Sequence, residues 1–389
     1  MKKSILLVMT SLNTGGIATA IRNMIAALDR NEFDIDLLLF ENECNYLLPN
    51  CNILSAGKFM RLTAINQKKA SEESRLLGFY RLVLGGITRL FNNGIAYKLL
   101  LNNTACIDKN YDVAISCTQS GPKHSLYGGC NEFVLYKVTA NLKISFIHCD
   151  YKLYGLNSSY SHKIYGKFDR IAAVSQSVRN CFLSCEPTFS DKTYISSNFN
   201  DYNGMRIKSN ENTYEYDPNF FNFITVARLG REKGHMRMLP IICNLINQGF
   251  VFKWHIVGGD IQTAPSEFIT LMKKLQVEKY IVFHGNQSNP YRFMKNADLL
   301  LIPSYHEAAP MVYEEARYFN LPILTTRTLS ADELVASKKI GMVCNNDDNA
   351  IETALKLIMN NPEILDDYRH SDVPCDNINA LSEFNKLIN

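Results

Sequence analysis

Four short segments carry side chains that could act together on a phosphorylated, polyhydroxylated ligand. The first runs from Leu299 to Thr326, LLLIPSYHEAAPMVYEEARYFNLPILTT. An apolar run ends at Pro303, a polar loop with Glu307 follows, and Pro310 stands where the first turn of a helix accepts a residue without an amide hydrogen. Glu315 then lies about 7 Å further along that helix, so the two carboxylates can line one ligand at separate points rather than share a proton. A helix amino terminus also offers unpaired amides suited to phosphate, and Ala308, Ala309, Pro310, Met311 and Val312 around it are donor-binding candidates. The second segment, VARLGREKGH, follows another apolar run and sets Arg228 and Lys233 ahead of Gly234. A guanidinium fork and an ammonium at a strand end make a diphosphate clamp. The third, TSLNTGGI, places Gly15 and Gly16 where the backbone can approach a ligand. The fourth, ISFIHCD, brings His148 and Asp150 to the end of one more strand.

The elements that must position these groups follow from hydrophobic patterning. Apolar runs of strand length occur at 5–9, 35–40, 113–117, 144–148 and 171–174, with helical stretches between some of them. The rhythm restarts at 221–227 and continues at 252–257, 280–283, 299–302 and 322–325. Runs apolar on both faces and alternating with helices predict parallel sheets covered on both sides. The fold class is therefore α/β, with two Rossmann-like doubly wound domains and the ligand expected in a central cleft, at the carboxyl ends of the strands. The boundaries are 1–200 for the first domain and 201–376 for the second, with a helix at 377–389 expected to return to the first. At 389 residues the chain has the length of two large domains.

Composition narrows the function classes. Hydrophobic residues make up 46% and charged residues 20%, which excludes a disordered, collagen-like or coiled-coil chain, and a net charge of +3 is too small to imply nucleic acid. The eleven cysteines form no CxxC pair and read as reduced thiols of a cytosolic protein rather than metal ligands. Asp34-Ile-Asp36 has the look of a metal motif but runs straight into a strand, and no metal site is assigned. The apolar run after Met1-Lys2-Lys3 is too short for a secretion signal core and reads as a buried first strand. One region, 58–101, departs from the strand–helix rhythm and carries eight basic residues against Glu72 and Glu73. Its pattern predicts either a basic amphipathic helix lying on an anionic membrane or a basic-faced helix packed on its own domain.

Together these segments resemble the retaining, nucleotide-sugar-dependent glycosyltransferases of the GT-B fold, specifically glycosyltransferase family 4. The resemblance rests on Gly15-Gly16, His148, FDRIAAVSQSV at 168–178, Asn198, ARLGREKG at 227–234, HIVGGD at 255–260, FHGNQ at 283–287, and Glu307 with Glu315. It implies that Arg228 and Lys233 hold a donor diphosphate, that Glu307 contacts the donor hexose, and that Glu315 binds ribose hydroxyls. His148 would reach the sugar, the loop at Gly15-Gly16 would lie near the phosphates, and Gly285, Asn286, Met311 and Val312 would surround base and ribose. Asp150 and Asn198 are possible acceptor or secondary residues, and the alternative for Asn198 is simply to order the linker. Ala308 and Asn320 stand where the family often has glycine.

The activity implied is transfer of a hexosyl group from a nucleoside diphosphate sugar, a UDP-sugar in the leading reading, to a glycan or lipid-linked saccharide in cell-surface polysaccharide synthesis. No cofactor beyond the nucleotide sugar is expected. Two other readings are a nucleotide-sugar epimerase and a non-catalytic partner of an active transferase. The bland alternatives are solvated carboxylates for Glu307 and Glu315, a surface ion pair with Glu232 for Arg228 and Lys233, a core histidine for His148, and an ordinary turn for Gly15-Gly16.

Overall fold

A computed structural model describes residues 2–12, 15–42, 48, 51–369 and 374–389. Cys44 and the residues Asn13 and Thr14 of the glycine loop lie outside the described residues. The chain divides into two compact units, Met1–Phe199 with Asn377–Asn389, and Asn200–Asp376.

In the first unit seven parallel strands form one sheet: β1 (Lys3–Met9), β2 (Phe33–Leu39), β3 (Asn52–Ser55), β4 (Asn110–Ser116), β5 (Thr139–Ile147), β6 (Arg170–Ala173) and β7 (Thr193–Ile195). Their order is β3-β2-β1-β4-β5-β6-β7. β1 is central, and Ile5, Leu6, Leu7 and Val8 have no solvent exposure, which is why its sequence is an unbroken apolar run. Chain order reverses between β1 and β4, so the loops after these strands frame the crevice where open α/β sheets take ligands.

The second unit repeats the plan with six strands: β8 (Phe221–Val226), β9 (Phe252–Val257), β10 (Ile281–Phe283), β11 (Leu299–Ile302), β12 (Ile323–Thr326) and β13 (Gly341–Cys344), in the order β10-β9-β8-β11-β12-β13. Alternate residues feed two cores. Phe223, Trp254, Leu299 and Leu301 pack with Met238 and Leu245 on one face, and Ile224, Leu300, Ile302 and Ile323 pack with Tyr313 and Ala316 on the other. The reversal here falls between β8 and β11. The polar stretch before β8 contains the helix Tyr202–Ser209, capped by the Asp201 carboxylate.

The segment 377–389 forms the helix Ile378–Ile388 and packs on the first unit. Phe384 lies edge-on to Phe33 and Phe199, Glu383 Oε2 accepts from the Ser197 amide at 2.8 Å, and Arg170 Nη1 donates to the Leu387 carbonyl at 2.7 Å. The region 58–101 is not one helix but a succession, Gly57–Arg61, Gln67–Glu73, Arg75–Leu90 and Asn93–Asn102. Asn66 and Asn92 interrupt it, each accepting a hydrogen bond from the amide three residues ahead.

Candidate active site

The loops after β8 and β11 meet at the switch point of the second unit. Arg231–Lys233 forms a short 3₁₀ turn and Gly234, at φ +74°, opens the helix His235–Asn247. A Cβ on Gly234 would sit 1.9 Å from the Pro303 carbonyl oxygen, so only glycine allows the two loops to touch. The Tyr305 amide donates to the Glu232 carbonyl at 2.8 Å across the same contact. Lys233 Nζ and Glu307 Oε1 are thereby brought to 2.7 Å, and Ser304 Oγ donates to that oxygen at 2.8 Å. Both side chains are largely enclosed, at 23% and 10% exposure, whereas the Arg228 guanidinium is 75% exposed and reaches Glu232 Oε1 at 2.5 Å. Each cation at this strand end is thus paired with a carboxylate, Arg228 with Glu232 and Lys233 with Glu307, and an arriving anion would have to compete for them.

The Glu307 loop is held from behind by Arg237, a residue that sequence reasoning missed. Its buried guanidinium lies 4.3 Å from the centroid of the Tyr305 ring, with Nε 2.6 Å from Asp348 Oδ1 and Nη1 donating to Asn346 Oδ1 at 2.6 Å. Asn346 Nδ2 donates in turn to the Tyr305 carbonyl at 2.9 Å. The Leu329 amide donates to the Glu307 carbonyl at 3.2 Å, and Thr326 Oγ1 to the Ser304 carbonyl at 2.5 Å. The one sequence signal was an arginine four residues past Lys233, on the first turn of the following helix.

Beyond this loop the helix Met311–Tyr318 begins one residue later than the proline rule predicts, because Pro310 takes the extended capping position, with φ −68° and ψ 131°. Glu315 projects from this helix into a buried position where its nearest polar partner is the Tyr291 hydroxyl at 3.4 Å. Burial pushes its carboxyl up to about 7. Asn320 follows the helix at φ +52°, a left-handed conformation that asparagine tolerates better than most residues. Ala308, Ala309 and Val312 are half-buried and Met311 is buried.

The glycines of HIVGGD and FHGNQ are explained by the loops that close over one another. Gly258, at φ +106°, would carry a Cβ 2.8 Å from the Ala227 carbonyl, and it donates to the Gly285 carbonyl at 2.8 Å. Gly285, at φ +70°, donates to the Gly259 carbonyl at 3.1 Å, and Asn286 next to it is exposed. Underneath, His255 Nδ1 and His284 Nε2 lie 3.0 Å apart in stacked rings. Burial lowers these two histidines to about 3 and about 4, so both are neutral at pH 7 and one donates to the other.

In the first unit, Gly15 takes φ +150° with open space around its Cβ position, and Gly16 begins the helix Gly16–Ala27. His148 stacks on Phe146, its amide donates to Gln119 Oε1 at 3.2 Å, and its ring bonds to the Cys117 backbone. The buried Nε2 has no hydrogen-bond partner among the described residues, and desolvation lowers the imidazole to about 4. Asp150 Oδ1 is already engaged, accepting from the Leu153 amide at 2.9 Å and from Cys181 Sγ at 3.3 Å; that carboxylate shapes a turn. Asn198 is half-buried three residues past β7. Between Asp34 and Asp36 sits the Lys109 ammonium, 2.9 Å from each, and Tyr111 donates to Asp36 at 2.7 Å. An ammonium fills the place a cation would take.

Residues 208–371 match the family described as Glycosyl transferases group 1. The group 1 match spans β8 to β13 and includes Arg228, Lys233, Gly285, Glu307 and Glu315. Among curated relatives, an uncharacterised glycosyltransferase of Methanocaldococcus jannaschii is 26% identical over 192 residues, 46% of this chain and 47% of that protein. The lipopolysaccharide glucosyltransferase WaaG of Escherichia coli is 37% identical over 88 residues, 23% of each. The chain thus spans about half the length, or less, of these curated relatives. Solved structures align along nearly the whole chain. Sucrose-phosphate synthase of Thermosynechococcus elongatus gives a TM-score of 0.66 at 16% identity, covering 100% of this chain and 95% of that one. HepE of Anabaena, in complex with UDP-glucose, gives 0.63 at 15% identity, covering 99% and 98%. At such identities the likeness is one of fold, and the fold is that of the two-domain GT-B glycosyltransferases.

Proposed function

We propose that this chain is a retaining glycosyltransferase that moves a hexosyl group from a UDP-sugar to a glycan or lipid-linked saccharide acceptor in cell-surface polysaccharide synthesis. The observation that carries the reading is the Lys233–Glu307 pair, set at a strand-end switch point within the group 1 match, with Arg228 exposed beside it. A diphosphate draws the Lys233 ammonium away from Glu307, and the freed carboxylate accepts hydrogen bonds from hexose hydroxyls. Glu315, neutral up to about pH 7, both donates to and accepts from ribose hydroxyls.

In the transfer step the bond between the anomeric carbon and the diphosphate oxygen breaks as the acceptor hydroxyl oxygen bonds to the same carbon from the same face. The hydroxyl proton passes to the departing phosphate oxygen. Arg228 and Lys233 stabilise the charge growing on the leaving group, and this reading assigns them, rather than a divalent metal, that role. The HepE complex with UDP-glucose and the function of WaaG support a uridine donor and a surface glycan.

Calorimetric titration with UDP, GDP, ADP and their hexose conjugates, with and without chelator, tests the reading. Binding of UDP that survives chelation and is lost in Arg228→Ala supports it; no binding to any nucleotide overturns it.

A further inference from the structure

The helix Arg75–Leu90 is apolar on both sides. Leu84 belongs to the core of the first unit, and Leu77, Tyr80 and Ile87 pack against it. The opposite face carries Leu76, Phe79, Leu82 and Leu90, exposed at 80%, 66%, 60% and 79%, and Phe91 continues it at 58%. Leu76, Phe79, Val83, itself 41% exposed, and Leu90 recur at helical spacing and form one stripe, with Leu82 flanking it. Among the described residues, eight of the eighteen large exposed hydrophobic side chains fall between 76 and 99. A contiguous exposed apolar patch marks a contact surface.

The charges around the stripe decide what it contacts. Arg61, Lys68 and Lys69 are paired with Glu73, Glu72 and Glu41, and Arg81 turns inward to the Leu62 carbonyl. Arg75, Arg89 and Lys98 have no carboxylate partner among the described residues. Beside Phe91 and Ile95 opens a cavity of about 540 Å³ lined by Asn92, Ser158, Ser159 and Lys123, a cation with no carboxylate in the lining. A twofold contact between copies would set this cationic rim against itself. No helix of the described residues is long and apolar enough to cross a membrane.

We propose that this face seats the first unit on an anionic bilayer, with the stripe of helix Arg75–Leu90 between the lipids and Lys123 holding a headgroup phosphate in the adjoining cavity. Apolar insertion and attraction to anionic lipid act together in such a seat. The proposal uses the first unit alone. Nucleotide binding by the second unit can fail while vesicle binding succeeds, and the reverse.

The test is co-sedimentation with vesicles of phosphatidylcholine alone and of an equimolar mixture with phosphatidylglycerol. Wild-type protein is expected on the mixed vesicles, absent from the neutral ones, and released by salt. Phe79→Ser with Leu82→Ser, both at exposed positions, weakens binding by about tenfold or more, and Lys123→Ala by about fivefold. Phe79→Trp reports insertion directly as a blue shift on the mixed vesicles, against the constant signal of buried Trp254, the chain's one tryptophan. Wild-type protein left in the supernatant of the mixed vesicles overturns the proposal. So does binding unchanged in the double serine variant, or a dimer that this variant dissolves.

Discussion

The Arg237 guanidinium stacks on the Tyr305 ring two residues before Glu307, and the same arginine is tied to Asn346 on the loop after β13 and to Asp348 at the start of the helix that follows. The carboxylate that pairs with Lys233 is thus aimed by a residue that does not reach it.

Arg237→Ala should therefore lower kcat by about tenfold or more while leaving the affinity for UDP within a few-fold, since displacement of a positioned group costs turnover first. Arg237→Lys keeps the charge and loses the fork and the stacking, so it should recover part of the rate. Parallel measurement of transfer rate and calorimetric affinity separates this from a general loss of structure. An equal loss in both quantities contradicts the positioning role.

Lys233→Ala removes a charge-assisted contact to the diphosphate and should weaken UDP binding by about 10- to 100-fold. It also leaves the enclosed Glu307 carboxylate without its cation, so thermal stability falls. In Lys233→Ala with Glu307→Gln the stability should return while UDP affinity stays low. Thermal melts and titrations of the single and double variants check both halves.

Glu315 gives a pH signature. Burial raises its carboxyl from an ordinary 4.5 to about 7. Between those values the unfolded chain releases the proton and the folded chain keeps it, so this group's contribution to stability is complete below pH 4.5 and is lost as pH rises through 7. Glu315→Gln should melt several degrees higher than wild type at pH 8 and close to wild type at pH 4.5. A difference of the same size at both pH values would falsify the buried neutral carboxyl. If Glu315 also holds the ribose, the variant binds UDP more weakly at either pH.

Gly234→Ala should destabilise the second unit by on the order of 2 kcal/mol or more, because the methyl group meets the Pro303 carbonyl and φ is +74°. Denaturant unfolding followed at Trp254 measures this. Gly249→Ala, also at positive φ but with nothing within 4 Å of its Cβ position, should cost less and serves as the control.

Much of this architecture was legible because the central strands are buried on both faces and so appear as apolar runs; 252–257 and 299–302 coincide with β9 and β11. The strands that escaped, β3, β7 and β13, are short edge strands, mostly half-buried, and carry no such run. The helix Tyr202–Ser209 escaped because its stretch is polar and only Met205 and Ser209 are buried. At the candidate site, the spacing of Glu307 and Glu315 reflects a local loop-and-helix geometry that sequence shows well. Arg237 was hidden because its partners lie 109 and 111 residues away. Sequence shows Asp150 at a strand end but not the amide and thiol that its Oδ1 serves.

The helix Ile378–Ile388 closes the first unit although it follows the second along the chain. On the ribosome the order of completion is therefore inverted. The residues of the second unit are all made while the first still waits, with Phe33 and Phe199 uncovered, for Phe384. A chain ending at residue 376 would carry every residue of the second unit and an incomplete first one, with its exposed apolar surface at the end of the molecule that was made first.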